Sequence, residues 1–173
     1  MTTMTAKATT EKTKHKEMKA NIGISEKNLQ AVGLELNKCL ADLMVLYTKT
    51  RNYHWNIEGS NFMEMHKFYE NQYEELAEAI DEMAERIRAL GHYAEGRLSD
   101  FLKLTSLVEQ EYTNDQQVQL GHLLDDHETI IRNLRRLIDE LDEKYKDKGT
   151  SDFLTGLLTS HEKTAWMIRS YLK

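Results

Sequence analysis

Residues 25–59 read SEKNLQAVGLELNKCLADLMVLYTKTRNYHWNIEG, and their pattern is typical of a long helix followed by a tight turn. Its apolar side chains recur at steps of three and four residues, which places them on one face of an α-helix: Leu29, Val32, Leu36, Leu40, Leu43 and Tyr47. The same face of the helix, continued along the chain, includes His54. Ser25 is a suitable N-cap, so we expect a helix from about Glu26 to Trp55. The short segment that ends at Gly59 predicts an antiparallel helix hairpin.

The sequence after this segment predicts three more long helices. The expected ranges are 61–90, 114–146 and 152–172. Asn61 and Glu64 have capping-box spacing at the start of the second helix, and Gly91 is a suitable residue to follow its end. Gly149 is expected to end the third helix, and a short helix is expected around Phe101–Val108. The chain has no proline, which favours long helices. The predicted fold class is all-α, a four-helix bundle.

Charge divides the chain into two predicted regions. Residues 1–24 carry five Lys against two Glu, a surplus of three positive charges, which leaves −9 for the rest of a chain whose net charge is −6. This segment is rich in Thr and lacks aromatic residues, so we expect a flexible tail over residues 1–24 and a folded domain over 25–173. The tail is either a solvated terminus or a cationic arm for DNA phosphates. The candidate DNA contacts are Lys7, Lys12, Lys14, Lys16 and Lys19.

Other features exclude whole classes of protein. A single Cys rules out an internal disulfide framework and a Cys-rich zinc site. The first residues contain no apolar core of a signal peptide, and the apolar run at Leu43–Tyr47 is too short to span a bilayer. We therefore expect a cytoplasmic helical protein.

Potential metal ligands share one side of the second predicted helix. With His66 at 0°, the helical rotation puts Glu70 at ~40°, Asp81 at ~60° and Glu85 at ~100°. Asp81 nevertheless lies about 22 Å along the axis from His66, so these groups cannot bind one ion within a single chain. An antiparallel second copy of the helix would bring the two clusters together twice, around a two-fold axis. His54, just before the hairpin turn, would lie level with His66.

Imidazoles combined with carboxylates suit a divalent ion such as Fe(II), Zn(II) or Mn(II). An alternative for each residue is structural, because a His on an apolar stripe can be a hydrogen-bonded core residue and helix carboxylates are usually solvated. His127 and His161 are interpreted in this way. No His in the chain has Asp or Glu three residues before it, so the Glu-x-x-His pairs of an intrachain di-iron bundle are absent.

The combined motif resembles the Dps family, the DNA-binding proteins from starved cells. The resemblance lies in His54-Trp55-x-x-x-Gly59, a second His twelve residues after the first, and Asp81-x-x-Ala84-Glu85-Arg86, with His161-Glu162-Lys163 and Trp166-Met167 in the last helix. It covers roughly residues 26–172. It implies a ferritin-like four-helix bundle that assembles into a hollow dodecamer, with ferroxidase centres at the dimer interface.

Carried over by position, the resemblance implies that His54 and His66 are catalytic iron ligands from one subunit. Asp81 and Glu85 would come from the partner. The family's usual Asp four residues after the second His is Glu70 here, one methylene longer, which makes Glu70 the least secure of the five metal ligands.

The implied reaction is Fe(II) oxidation, with hydrogen peroxide as the favoured oxidant, followed by storage of ferric mineral inside the shell and protection of DNA. Acidic residues near the turn before the last helix are candidates for a cation-entry pore: Glu143, Asp147 and Asp152. Two other functions stay open: a DNA-compacting shell that uses the Lys-rich tail, and a metal carrier in which zinc occupies the same ligands without turnover.

Overall fold

The computed structural model describes residues 19–173, and within them the chain forms a four-helix bundle. The long helices are α1 (Glu26–Asn56), α2 (Phe62–Ala89), α4 (Gln116–Glu140) and α5 (Lys148–Tyr171), and a short helix α3 (Leu98–Leu104) lies in the long connection. The all-α prediction is confirmed. The candidate DNA contacts Lys7, Lys12, Lys14 and Lys16 lie outside the described residues, and Lys19 is exposed. The division into a tail and a domain stays a prediction.

The hairpin between α1 and α2 follows the sequence closely. The Ser25 side chain accepts a hydrogen bond from the backbone N–H of Asn28, as expected of an N-cap. Gly59 has φ +121° in the connecting turn, a conformation that an L side chain rarely adopts. The expected capping box was wrong, because the Asn61 side chain makes no capping hydrogen bond.

The short helix begins earlier than expected, at Leu98 rather than near Phe101. Phe101 is buried against the bundle. The following residues are held by Asp42 of α1, whose carboxylate accepts hydrogen bonds from the Ser106 N–H and from the hydroxyls of Thr105 and Ser106. This buried acceptor stops the helix at Leu104, well short of the predicted Val108.

The boundary between the last two long helices also differs from the expectation. The α-helical part of α4 ends at Glu140, and a π-helical turn, Leu141–Tyr145, continues it. Gly149 does not end α4: it lies in the first turn of α5, where a Cβ atom would be 3.1 Å from Nη2 of Arg86. The last helix therefore begins at Lys148, four residues before the predicted Asp152, because the Asp147 side chain caps it by accepting from the Thr150 N–H at 3.0 Å.

The core lies between the four long helices. α1 packs along α2, α4 packs along α5, and α1 also contacts α3 and α4. The largest fully buried side chains include Tyr53, Tyr69, Leu36, Met65, Met83, Ile87, Leu120 and Leu123. In residues 19–173 no helix is long and apolar enough to cross a membrane.

Candidate metal centre

His54 and His66 face each other across the α1–α2 hairpin. His54 lies in the last turn of α1 and His66 in the second turn of α2, so the short turn brings the two side chains level. Their rings stack with centroids 3.7 Å apart and planes 19° from parallel. Each Nδ1 lies 2.8 Å from the backbone carbonyl oxygen of the other residue. This reciprocal pair of hydrogen bonds fixes both rings.

These hydrogen bonds determine which nitrogen is free to bind a metal. A carbonyl oxygen only accepts, so each Nδ1 must carry the proton and donate it. The Nε2 atom of each neutral ring then keeps its lone pair, the usual arrangement in a metal-binding His whose other nitrogen is held by a backbone carbonyl. Both imidazoles are therefore in the tautomer that a metal requires.

Glu70 adds a carboxylate next to this pair. It follows His66 by one helical turn and is half-buried, and Lys67 lies 2.5 Å from its Oε2 atom. The hydrogen bond from Lys67 and the positive charge of that side chain lower the pKa of the Glu70 carboxyl. An anionic oxygen next to two imidazole nitrogens is a suitable partial ligand set for Fe(II).

Aromatic side chains and one guanidinium surround the His pair. Tyr73 meets the His54 ring edge-on at 5.2 Å, and Phe62 stacks on His66 at 5.0 Å. The Arg51 guanidinium lies 4.6 Å from the centre of Tyr73 and 5.4 Å from that of Trp55. The sequence could have indicated that Arg51 lies near Trp55, because Arg51 precedes Trp55 by four residues, which is one turn of α1.

Asp81 and Glu85 are exposed further along α2 and make no ion pair within the described chain. Among residues 19–173, no group of three or more His, Cys, Asp or Glu side chains is placed to hold a metal ion. One chain therefore brings His54 and His66 together, places Glu70 one helical turn after His66, and leaves Asp81 and Glu85 further along the same helix.

The three pore candidates lie in different environments. Glu143 and Asp152 are exposed, and Lys148 lies 3.6 Å from the Asp152 carboxylate. Asp147 is buried, caps α5 and pairs with Arg86 at 3.0 Å. Sequence reasoning missed this structural role of Asp147. The pore assignment stays a prediction, carried by Glu143 and Asp152.

Comparison with known proteins places this architecture in a family. The model of the ferritin-like domain matches residues 34–173. An uncharacterised low temperature-induced protein of Nostoc sp. is 43% identical over 156 residues, covering 88% of this chain and 86% of the relative. DNA protection during starvation protein 2 of Bacillus anthracis is 36% identical and covers 79% of this chain and 93% of its own length.

Solved structures agree with the sequence relatives. The Dps protein of Vibrio cholerae O1, described as a member of a broad superfamily of ferritin-like diiron-carboxylate proteins, matches with a TM-score of 0.86 and 32% identity, over 89% of this chain and 96% of that one. Dps from Staphylococcus aureus gives 0.80 and 33%, over 83% and 96%. The bundle, its short connecting helix and these matches agree, and the chain belongs to the Dps family of ferritin-like proteins.

Proposed function

We propose that this protein is a ferroxidase that oxidises Fe(II) with hydrogen peroxide and stores the ferric product. The substrate ions bind between two copies of the chain. His54, His66 and Glu70 come from one copy, and Asp81 and Glu85 come from the other. The single observation that carries this proposal is the reciprocal His54–His66 pair, which holds two imidazoles in the metal-binding tautomer. In the described chain, no group of three or more His, Cys, Asp or Glu side chains completes a metal site.

The incomplete ligand set supports a site between chains. Asp81 and Glu85 point away from the core on α2 without an ion-pair partner in residues 19–173. If a second α2 crosses the first antiparallel, they meet His66 and Glu70 of the neighbouring copy, and the same contact occurs twice because a two-fold interface is self-complementary.

Exposed apolar side chains on α1 and α3, two helices that pack against each other, support the presence of a neighbouring copy. Trp55 is 64% exposed, and on α3 Leu98 is 71% and Leu102 is 55% exposed. Large apolar groups gathered on one side of a protein mark an interaction surface. We infer that this face pairs two chains and that the pairs assemble into a hollow dodecamer, with Glu143 and Asp152 near a cation entry route.

The chemistry follows from the donor set. Two Fe(II) ions supply the two electrons that reduce one hydrogen peroxide, so no hydroxyl radical is released. His54 and His66 bind Fe(II) through Nε2. The carboxylates of Glu70, Asp81 and Glu85 bind Fe(III) more strongly than Fe(II), since attraction to an anionic oxygen grows with the ion's charge. These side chains therefore favour the oxidised state. The diiron-carboxylate description of the Vibrio relative supports iron as the metal, and no comparison supports zinc.

Anaerobic Fe(II) loading followed by hydrogen peroxide tests the proposal. We expect rapid growth of ferric absorbance with about one peroxide consumed per two Fe(II). His66→Ala combined with Asp81→Ala should abolish the fast phase, whereas Glu82→Ala, on the neighbouring exposed position, should leave it intact. Oxidation in the parent protein no faster than in buffer would reject the ferroxidase.

Mixed oligomers test whether the site lies between chains. A chain with His54→Ala and His66→Ala and a chain with Asp81→Ala and Glu85→Ala are co-expressed with different tags. A dimer of one of each has one fully intact site and one site that keeps only Glu70. Random pairing should restore about a quarter of the parent rate, because half the dimers are mixed and each holds one of two sites. No recovery would place the site within one chain.

DNA protection by direct binding is a second candidate, supported by relatives named for DNA protection during starvation. The Lys-rich segment would supply the contact through Lys7, Lys12, Lys14, Lys16 and Lys19. Because the rest of the chain is acidic, binding should fall steeply as salt rises. Deleting residues 1–20 should remove the gel shift of linear DNA. A shift that survives the deletion would place the DNA site elsewhere.

A further inference from the structure

His127 of α4 and His161 of α5 form a buried pair in the core of the bundle. Their Nδ1 atoms are 2.8 Å apart, so one ring donates its Nδ1–H to the other. Each residue is only 3% exposed. The Nε2 atom of His127 is buried as well, and it has no hydrogen-bond partner within residues 19–173. The pair is therefore satisfied between its two Nδ1 atoms and unsatisfied at this Nε2 atom.

Gln72 of α2 is a second buried polar residue without a partner. It is 5% exposed, and in the described part of the chain neither its Nε2 nor its Oε1 atom makes a hydrogen bond. A primary amide offers two N–H donors and one acceptor oxygen. Leaving such groups buried and unpaired is costly, and buried polar groups are normally satisfied by protein atoms or by a bound small molecule.

Gln72, His127 and His161 line the same small cavity. Its volume is about 30 Å³. A water molecule needs about 10–15 Å³, so the cavity has room for a molecule with two oxygen atoms. The cavity adjoins the wider groove between α2 and α5, with which it shares five lining residues: Glu75, Ala79, Leu157, Ser160 and Thr164. This groove gives a small molecule a route to the cavity.

The lining favours an uncharged ligand that is chemically reactive elsewhere. Burial lowers the pKa of His161 to about 4 and that of His127 well below 6.5, so both rings are neutral near pH 7. Glu75, the acidic lining residue, is exposed to solvent. An ion would lose its hydration to neutral buried groups, which is costly. Among the described residues that line the cavity, none is Cys, Met, Trp or Tyr, so no readily oxidised side chain touches its contents.

We propose that this cavity binds one molecule of hydrogen peroxide between Gln72 and His127; this rests on the ferroxidase function proposed above, which makes peroxide a substrate. One peroxide oxygen accepts from Nε2 of Gln72, and the other donates to Oε1 of the same amide. The first oxygen donates its own proton to Nε2 of His127, whose Nδ1–H is then the donor to His161. A molecule with two bonded oxygens pairs with both atoms of an amide at once, whereas one water pairs well with only one of them.

The position of the cavity relates it to the proposed iron site. Gln72 lies on α2 between the two groups of proposed ligands, about 9 Å along the helix axis from His66 and about 14 Å from Asp81. No bond is made or broken in the cavity. The oxidant is held intact within the bundle, under the helix that carries the ligands and away from oxidisable side chains.

Crystals of the full-length, iron-free protein test the assignment directly. In crystals frozen after a brief exposure to hydrogen peroxide, we expect elongated density for two bonded oxygen atoms in contact with Gln72 and His127. Unexposed crystals should show water at hydrogen-bond spacing in the same place. Water peaks that do not change after exposure, or a Gln72 amide bonded directly to His127, would overturn the proposal.

Solid-state NMR of the assembled protein labelled with ¹⁵N-histidine tests binding outside a crystal. Hydrogen peroxide should shift the Nε2 resonance of His127 in a saturable way. Gln72→Leu should remove this shift, and the matched control Asn71→Leu, at an exposed neighbouring position, should keep it. A shift that does not saturate, or that persists in Gln72→Leu, would contradict peroxide binding at this amide.

Neither measurement contains iron, so the two proposals fail separately. Absence of peroxide from the cavity in a protein that still oxidises Fe(II) rapidly would overturn the cavity assignment alone. Absence of ferric product in the parent would overturn the ferroxidase. Circular dichroism and size-exclusion chromatography verify that each variant keeps its fold and assembly, and the parent crystals and titration decide the question even if Gln72→Leu does not assemble.

Discussion

At the scale of single residues, Lys49 of α1 and Asp126 of α4 form an ion pair in which both side chains are buried, with Nζ 2.5 Å from Oδ2. Burial raises the pKa of the Asp126 carboxyl, while the hydrogen bond from Lys49 opposes that change. Lys49 also donates to the backbone carbonyl of Val108 at 2.7 Å. The pair therefore links α1, α4 and the loop after α3. Each buried charge is stabilised by the other charge in place of water.

Removing one partner should be more harmful than removing both. Asp126→Ala is expected to lower the free energy of unfolding by about 3–5 kcal/mol, because it leaves Lys49 charged and buried. Replacing both, with Lys49→Met and Asp126→Leu, should cost less than the single change. Asp125→Ala, on the exposed neighbour, should stay within about 0.5 kcal/mol. Urea denaturation followed by circular dichroism measures all three, and an additive double variant would contradict the coupling.

The His127–His161 pair predicts a loss of stability in acid. Their Nδ1 atoms are 2.8 Å apart. Burial lowers the pKa of His161 from 6.5 to about 4, and burial followed by the neighbouring imidazole lowers the pKa of His127 well below 6.5. Between pH 6.5 and 4 the unfolded chain binds more protons than the folded one, so stability is full above pH 6.5 and falls as the pH drops.

His161 alone should account for a loss on the order of 3 kcal/mol between pH 6.5 and 4. The double variant His127→Gln, His161→Gln should flatten this part of the pH profile, even if it lowers stability at neutral pH. Thermal unfolding measured at several pH values decides the point. An unchanged slope in the variant would show that other groups cause the acid sensitivity.

At the scale of elements, Asp147 joins two helices. Its Oδ1 atom accepts from the Thr150 N–H at 3.0 Å and from Nη2 of Arg86 at 3.0 Å, so one carboxylate caps α5 and ties it to α2. Arg86 also donates from Nε to the Thr150 hydroxyl at 2.9 Å. The start of α5 is consequently fixed by a long-range contact as well as by local capping.

Asp147→Ala should therefore cost more than the loss of an ordinary cap. We expect a decrease in unfolding free energy of about 2–4 kcal/mol, the sum of a cap and a partly buried charge pair. Asp152→Ala provides the control, because that carboxylate is exposed and its change should stay within about 0.5 kcal/mol. Equal effects of the two substitutions in chemical denaturation would refute the role assigned to Asp147.

At the scale of the whole molecule, assembly and activity should be lost together. Leu98→Glu with Leu102→Glu puts two charges on the exposed apolar face of α3, where burying them against a second copy would be costly. We expect smaller particles in size-exclusion chromatography and loss of rapid Fe(II) oxidation, with helix content unchanged. Ser99→Glu, a polar position on the same helix, should leave both properties intact. Fast oxidation by a monomeric variant would contradict a site shared between chains.

Local sequence patterns predicted the long helices and the nearness of the two His residues. The apolar residues from Leu29 to Tyr47 identified the buried face of α1. His54 and His66 are twelve positions apart around a short turn, and this spacing predicted that they lie side by side. The same reasoning failed at Gly149, which looked like a helix end. There the decisive partner, Arg86, is more than sixty residues away in the chain, and no local pattern contains it.

Spacing along the chain predicted the all-α bundle, the antiparallel hairpin and a row of His and carboxylate side chains on α2 that is too long for one ion, because helical rotation and rise depend only on that spacing. Helix packing, in contrast, decided which nitrogens of His54 and His66 donate to a backbone carbonyl, that Asp147 is a buried cap, and that Asp126 is paired. Those properties depend on atoms from different helices meeting within hydrogen-bond distance. Distances of that kind arise when helices pack, and periodicity in the sequence does not encode them.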